Sequence, residues 1–273
     1  MQRHSIAPTE LIDSFWRNRK LITALIKREV VGRYRGSMMG LAWSFFNPIL
    51  MLIIYTLVFS GVFKARWGSN GQEEGVDFAI ILFVGLMVHG LFAECINRAP
   101  GLILSNANYV KKVVFPLEIL AWVAFGSALF HMAVSFSVLL IAKLIIHQHI
   151  PLTAVYFPLV IFPLFLGTLG LTWAIAAVGV YVRDMAQVTQ LFTTVMLFVS
   201  AVFFPISALP ERYQFWLHLN PLAVVIQEAR NVLLIGHPPD FTALTLLFII
   251  GAAMAWAGFA CFQTTRKGFA DVL

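Results

Sequence analysis

From Leu41 to Val62 the chain runs 22 residues without a charged side chain. As a helix rising 1.5 Å per residue, such a stretch is about 33 Å long, enough to cross the roughly 30 Å hydrocarbon layer of a bilayer. Five more apolar segments follow, at 78–95, 119–142, 152–181, 188–204 and 241–262. Inside lipid every backbone polar group must be satisfied internally, which leaves helices and closed barrels, and segments this long and continuous are helical. The expected fold is therefore an all-α integral membrane protein with six transmembrane helices. Composition agrees: only 12% of residues are charged, against about 25% in soluble domains. The fourth segment carries Pro158 and Pro163, so a kink or tilt is expected near its outer end.

Charge sets the expected orientation. Of the 19 Lys and Arg, eight precede the first span (Arg3, Arg17, Arg19, Lys20, Lys27, Arg28, Arg33, Arg35). Arg98, Lys111 and Lys112 lie in the second loop, Arg183 in the fourth and Arg266 and Lys267 in the tail. Five occupy the remaining loops, and by the positive-inside rule both termini face the cytoplasm. The first forty residues carry charges throughout, which does not fit a cleavable signal. The net charge of +6 is read as a topology signal, and no nucleic-acid-binding module accompanies it. Cys95 and Cys261 both fall in apolar segments and read as packing thiols.

Outside the spans, three segments carry their own signals. Residues 9–31 place Leu11, Ile12, Phe15, Trp16, Ile22, Leu25, Ile26 and Val30 at helical spacing, with Lys and Arg on other faces. This pattern suits an amphipathic helix at the cytoplasmic interface, with Thr9 as its expected N-cap. Residues 105–114, in the loop before Pro116, are expected to form a short helix facing the cytosol, either a contact for a soluble motor or a basic topogenic loop. Residues 205–235 contain two apolar clusters punctuated by Pro205, Pro210 and Pro221, too short to span; a re-entrant pair forming an outer gate is expected.

Chemistry is sparse. No GxxxxGK(S/T) phosphate-binding loop and no HExxH pattern occur, so neither nucleotide binding of that kind nor zinc hydrolysis is expected on this chain. His147 and His149 read as satisfied or solvated. Glu94, Glu118 and Lys143 sit near span ends without evident partners, unlike the midplane ionisable groups of ion-coupled transporters. Arg183 and Asp184 form either a salt-bridged inner turn or a gate element. Aromatic residues make up 14% of the chain. Among them Tyr55 and Phe59 on the first span and Phe192 and Phe198 on the fifth are candidates to line a pore; packing is the alternative for each.

The segment KREVVGRYRGSMMGLAWSFFNP resembles the start of permease subunits of ABC exporters for bacterial surface polysaccharides and teichoic acids. In that family a WRE-type segment, RY, a glycine-containing link and LGxxWxxxxP recur. Arg28, Glu29, Arg33, Tyr34, Gly40, Trp43 and Pro48 match; Lys27 and Met39 depart, where Trp and Leu are usual. Similarity continues at Asn106, Lys112, Phe115 and Pro116, at Arg183 and Asp184, and at Pro205, Ile206, Asn220, Pro221 and Arg230. The resemblance implies one transmembrane domain over 1–273, working as a homodimer with two copies of a separate ATPase subunit in the bacterial inner membrane. ATP and magnesium would be bound by that ATPase, with no cofactor on this chain. Arg28, Arg33, Tyr34, Arg35, Asn106, Lys111 and Lys112 would couple to the ATPase, and Arg183, Asp184, Pro205, Pro221 and Arg230 would belong to gates. The implied substrate is a lipid-linked polysaccharide, O-antigen first, with teichoic acid, capsule, drug or lipid as alternatives. A membrane scaffold or enzyme is the reading from a different class.

Overall fold

The computed structural model describes residues 6–58, 75–112, 115–204, 206 and 210–272. Among these residues there are helices and turns and no strand. In chain order the helices are α1 Pro8–Arg33, α2 Trp43–Tyr55, α3 Gly75–Arg98, α4 Ala107–Lys112, α5 Ile119–His147 and α6 Phe157–Gly179. They continue with α7 Met185–Val199, α8 Glu211–His218, α9 Pro221–Arg230, α10 Phe241–Thr265 and α11 Phe269–Val272.

Among the described residues five helical segments are long and apolar enough to cross a membrane: Gly40–Val58, Phe78–Gly101, Ile119–His147, Leu152–Gly179 and Phe241–Val272. The expected span at 188–204 appears as α7, whose 15 residues make only about 22 Å of helix. It ends at Val199 because Ser200 leaves helical geometry and Ala201 takes a positive φ of 54°. Even so, α7 follows α3 for most of its length. Thr193 Oγ1 donates to Asn97 at 3.0 Å and the Thr193 carbonyl meets His89 Nε2 at 3.0 Å. Beyond the end of α7, the Ala201 and Val202 carbonyls share Arg230 with Ile81, near the start of α3.

Helix α1 begins two residues earlier than the N-cap reading of Thr9 requires. Pro8 holds a helical φ and lacks the N–H that a cap would satisfy, so Ala7 is the flanking residue and Thr9 lies inside the helix. The expected apolar face divides in two. Ile22 and Leu25 pack with Ile119 and Val123, supported by Phe15, Ile26 and Trp122, whereas Ile12 and Trp16 point away from the protein, each 57% exposed. Along its length α1 meets Glu118 at Ser14, Gly126 at Ile26 and His131 at Arg33. It therefore climbs about 20 Å of α5. A turn follows in which Gly36 and Gly40 have φ of +87° and +50°. Nothing lies within 4 Å of a Cβ added at either glycine, so the demand there is conformational.

The tightest helix pair is α6 with α10. A Cβ on Gly258 would strike the Gly170 carbonyl, one on Gly170 would strike the Met254 carbonyl, and one on Gly251 would lie 2.6 Å from the Pro163 oxygen. Small residues let the two backbones touch, the usual way that membrane helices gain dispersion contact. Of the two prolines expected to kink this span, Pro158 lies in the first turn of α6 and Pro163 alone is interior. The buried core joins α3, α5, α6 and α9 around Leu82, Ile96, Leu139, Leu169 and Trp173.

Candidate functional site

Polar side chains gather at the two ends of the bundle. At the end carrying α1, α4 and the tail, Glu94 of α3 accepts from Arg33 Nη2 at 2.5 Å and lies 3.0 Å from His131 Nδ1 and 3.8 Å from Arg98. Arg98 also pairs with Glu29 of α1. His131 Nε2 lies 3.3 Å from the Tyr34 hydroxyl, and Nδ1 also lies 3.1 Å from Arg33 Nη1. Burial pushes the Tyr34 phenol above its ordinary pKa, opposed by the charge of Arg33, so it stays a neutral donor. The end of α1 is thereby tied to α3 and α5.

A second cluster surrounds Glu118 at the start of α5. This carboxylate accepts from Ser14 Oγ of α1 at 3.0 Å and from Arg266 Nη1 at 2.7 Å, while its carbonyl accepts from Trp173 Nε1 at 2.9 Å. Glu118 is 4% exposed. The expectation that Glu94 and Glu118 lack partners is thus corrected. Arg33 of α1 and Arg266 of the tail come from far away in sequence, with Arg98 of α3 a longer 3.8 Å neighbour of Glu94, and within lipid-facing helices a carboxylate persists only with such company.

The expected short helix at 105–114 is α4, which starts two residues later and is preceded by 3-10 turns at Ala99–Gly101 and Leu104–Asn106; residues 113 and 114 lie outside the described residues. Asn106 Nδ2 donates to the Leu102 carbonyl at 2.9 Å, closing the second of these turns. Arg28 of α1 donates to the Tyr109 hydroxyl of α4 at 3.1 Å. Lys111 and Lys112 are the last two residues of α4, and their side chains lie outside the description. Arg35 is exposed in the turn after α1.

At the opposite end, the Arg230 side chain is buried and donates to three carbonyls: Ile81 at 3.3 Å, Ala201 at 2.9 Å and Val202 at 2.8 Å. Lys143 of α5, also buried, donates to the carbonyls of Leu233 at 2.7 Å and Leu234 at 3.0 Å. Those acceptors belong to a π-type turn, Asn231–Ile235, which ends at Gly236 with φ +87°. A cation at a helix C-terminus meets both the spare carbonyls and the negative end of the dipole. The reading of Lys143 as lacking a partner is corrected accordingly, since backbone acceptors carry no signature in a sequence. Asn220 caps α9 through the Leu222 amide and donates to Ser200 Oγ at 3.0 Å. Pro221 opens α9. A cavity of about 750 Å³ lies beside these residues, lined by Lys143, His147, His149, Gln227 and Arg230 among others.

Arg183 and Asp184 are exposed in the turn between α6 and α7, and among the described residues no ion pair joins them, against the salt-bridged alternative. Tyr55 is half-buried against the main apolar core. Phe192 meets Phe92 at 6.1 Å and Phe198 meets Phe203 at 5.4 Å. Among the described residues no ring contact unites the candidate pore aromatics of the first and fifth segments. Phe59 and Pro205 lie outside the described residues.

A helical membrane bundle in which a basic amphipathic helix and a short loop helix meet at one end invites comparison with known membrane proteins. Residues 20–234 match the ABC-2 type transporter family. The chain belongs to that family. This ABC-2 chain is 26% identical over 263 residues to the O-antigen export system permease protein RfbA of Myxococcus xanthus, covering 96% of this chain and 98% of the relative. It is 23% identical over 252 residues to the polysialic acid transport protein KpsM of Escherichia coli, covering 90% and 93%. It is also 27% identical over 217 residues to the capsule polysaccharide export inner-membrane protein CtrC of Neisseria meningitidis serogroup B, covering 77% and 78%.

Proposed function

We propose that this chain is the permease subunit of an ATP-driven exporter that carries a lipid-linked polysaccharide, O-antigen first, across the bacterial inner membrane. The observation that carries this reading is the end-to-end similarity to an O-antigen export permease, 96% of one chain against 98% of the other. In the proposal two copies form the pore and two copies of a separate ATPase supply the force. The first membrane segment supports the dimer: in α2 only Ser44 and Leu52 are buried. Phe45, Phe46, Ile49 and Ile53 are left exposed, at 41–50%, for a second copy or lipid. α1 and α4 are assigned to the ATPase, with the charges of Glu94 and Glu118 holding α1 to the spans.

Six crossings and a re-entrant α8–α9 pair belong to the same reading. Support comes from α7 packing on α3 through Thr193 at Asn97 and His89 and leading into Ala201 and Val202, whose carbonyls share Arg230 with Ile81 near the other end of α3. The direct test is deletion of the gene and return of the intact chain. Surface glycan should be lost on deletion, with lipid-linked glycan accumulating inside, and restored on return. Unchanged surface O-antigen together with loss of a capsule would move the assignment to capsule export, which the similarity to KpsM and CtrC favours as the second reading. No change in any surface glycan would end the proposal.

A further inference from the structure

Helix α4 has six residues, far fewer than the dozen or so that an isolated helix needs in water. Something must hold it in place if it is to pass force. Starting from α1, Arg28 Nη1 donates to the Tyr109 hydroxyl of α4 at 3.1 Å. The Tyr109 ring stacks on Phe115, centroids 4.3 Å apart and planes inclined by 16°. Phe115 offers its carbonyl to Arg266 Nη2 at 2.8 Å, and the other terminal nitrogen of Arg266 donates to Glu118 at 2.7 Å. Glu118 in turn accepts from Ser14, back on α1. These contacts close a ring in which every element is held by two neighbours.

Arg266 is the member of the ring supplied from outside the two loops. It lies 151 residues from Phe115 and 148 from Glu118, and its segment is seated rather than trailing. Phe269 is fully buried beside Phe262 and Tyr181, whose hydroxyl donates to the Thr265 carbonyl at 3.1 Å, and α11 lies against α4. A guanidinium fork can serve a carboxylate and a backbone carbonyl at once, whereas an ammonium is a point charge without that planar reach.

We propose that Arg266 is a positioning residue that fastens α4 to α1 through the chain's own tail, so that the two ATPase-facing helices move as one body. The assignment of those helices to an ATPase rests on the function proposed above; the ring itself does not. The test uses the full chain with Cys95 and Cys261 replaced by Ala and spin labels at exposed positions 23 of α1 and 108 of α4. In Arg266→Gln the distance distribution between labels should broaden, with Arg266→Lys intermediate. In the complex with its ATPase, ATP hydrolysis should persist while glycan exported per ATP falls about tenfold, the scale of one lost charged hydrogen bond. Should Arg266→Gln fail to insert, Tyr109→Phe opens the ring at its α1–α4 link and should broaden the same distribution. An unchanged distribution in the folded variants overturns the proposal. A parent complex that exports no glycan, with the distribution still broadened by Arg266→Gln, would instead remove the exporter reading and leave the ring standing.

Discussion

The buried cations at the end opposite the tail act on backbone, and this sets what their loss should cost. Arg230 donates to the carbonyls of Ala201 and Val202, in a segment without regular helix, and to that of Ile81 in α3. Arg230→Met should therefore cost about 3 kcal/mol, the scale of buried acceptors left unpaired after loss of a charged donor. Thermal unfolding in detergent checks this: the midpoint should drop, and Arg230→Lys should recover only part, because one ammonium cannot reach three acceptors spread over two segments. An unchanged midpoint would mean that those carbonyls find water instead. None of this was readable from spacing. The motif resemblance singled out Arg230, yet its acceptors are backbone atoms 28 to 149 residues away, and a sequence marks neither those carbonyls nor their distance. The same reason explains why Lys143 read as lacking a partner, whereas Glu94 and Glu118 find side chains that are for the most part distant in sequence.

At the level of elements, long apolar segments and punctuating prolines were legible because they report on solvent and local backbone. α2, α3, α5, α6 and α10 fall where uncharged runs predict them, and α8 and α9 start at the prolines expected to start them. What stayed hidden was contact between elements. Gly36 and Gly40 stand at GxxxG spacing, yet with positive φ they serve a turn. The close approach is made by Gly170 with Gly258 and by Gly251 with Pro163, glycines that no single local motif groups. Gly258→Leu should push α10 off α6 and destabilise the fold by at least about 3 kcal/mol, the upper range for overpacking, because the obstacle is backbone and cannot rotate away. Gly90→Ala, where nothing lies within 4 Å of the added carbon, should be tolerated. Equal thermal midpoints for the two variants would contradict the α6–α10 contact as the reason for these glycines.

For the whole molecule, the placement of the two ends constrains how many times the chain crosses. Arg266 in the tail and Ser14 in α1 share one carboxylate, Glu118, so the tail and α1 belong to the same side of the bundle. A chain whose ends share a side crosses an even number of times, yet among the described residues only five segments have ordinary spanning length. On the proposed six-crossing reading one short element makes up the difference, and α7 is the candidate because it packs on α3 through Thr193 at Asn97 and His89 and leads into Ala201 and Val202, whose carbonyls share Arg230 with Ile81 near the other end of α3. A helix of about 22 Å can cross where neighbouring protein and local thinning of the bilayer cover its ends, at a cost of a fraction of a kcal/mol per ångström of mismatch. Single cysteines in a chain lacking Cys95 and Cys261 decide the matter. Labels at Lys20, at Arg183 and at Lys267 should react with an impermeant thiol reagent only after the membrane is opened, and labels at His149 and Trp216 should react in intact spheroplasts. Reaction at Lys267 from outside would give an odd number of crossings and would separate, across a membrane, two groups that lie 2.7 Å apart here. Reaction at Arg183 from outside, with Lys267 protected, would instead move the missing crossing from α7 to another segment.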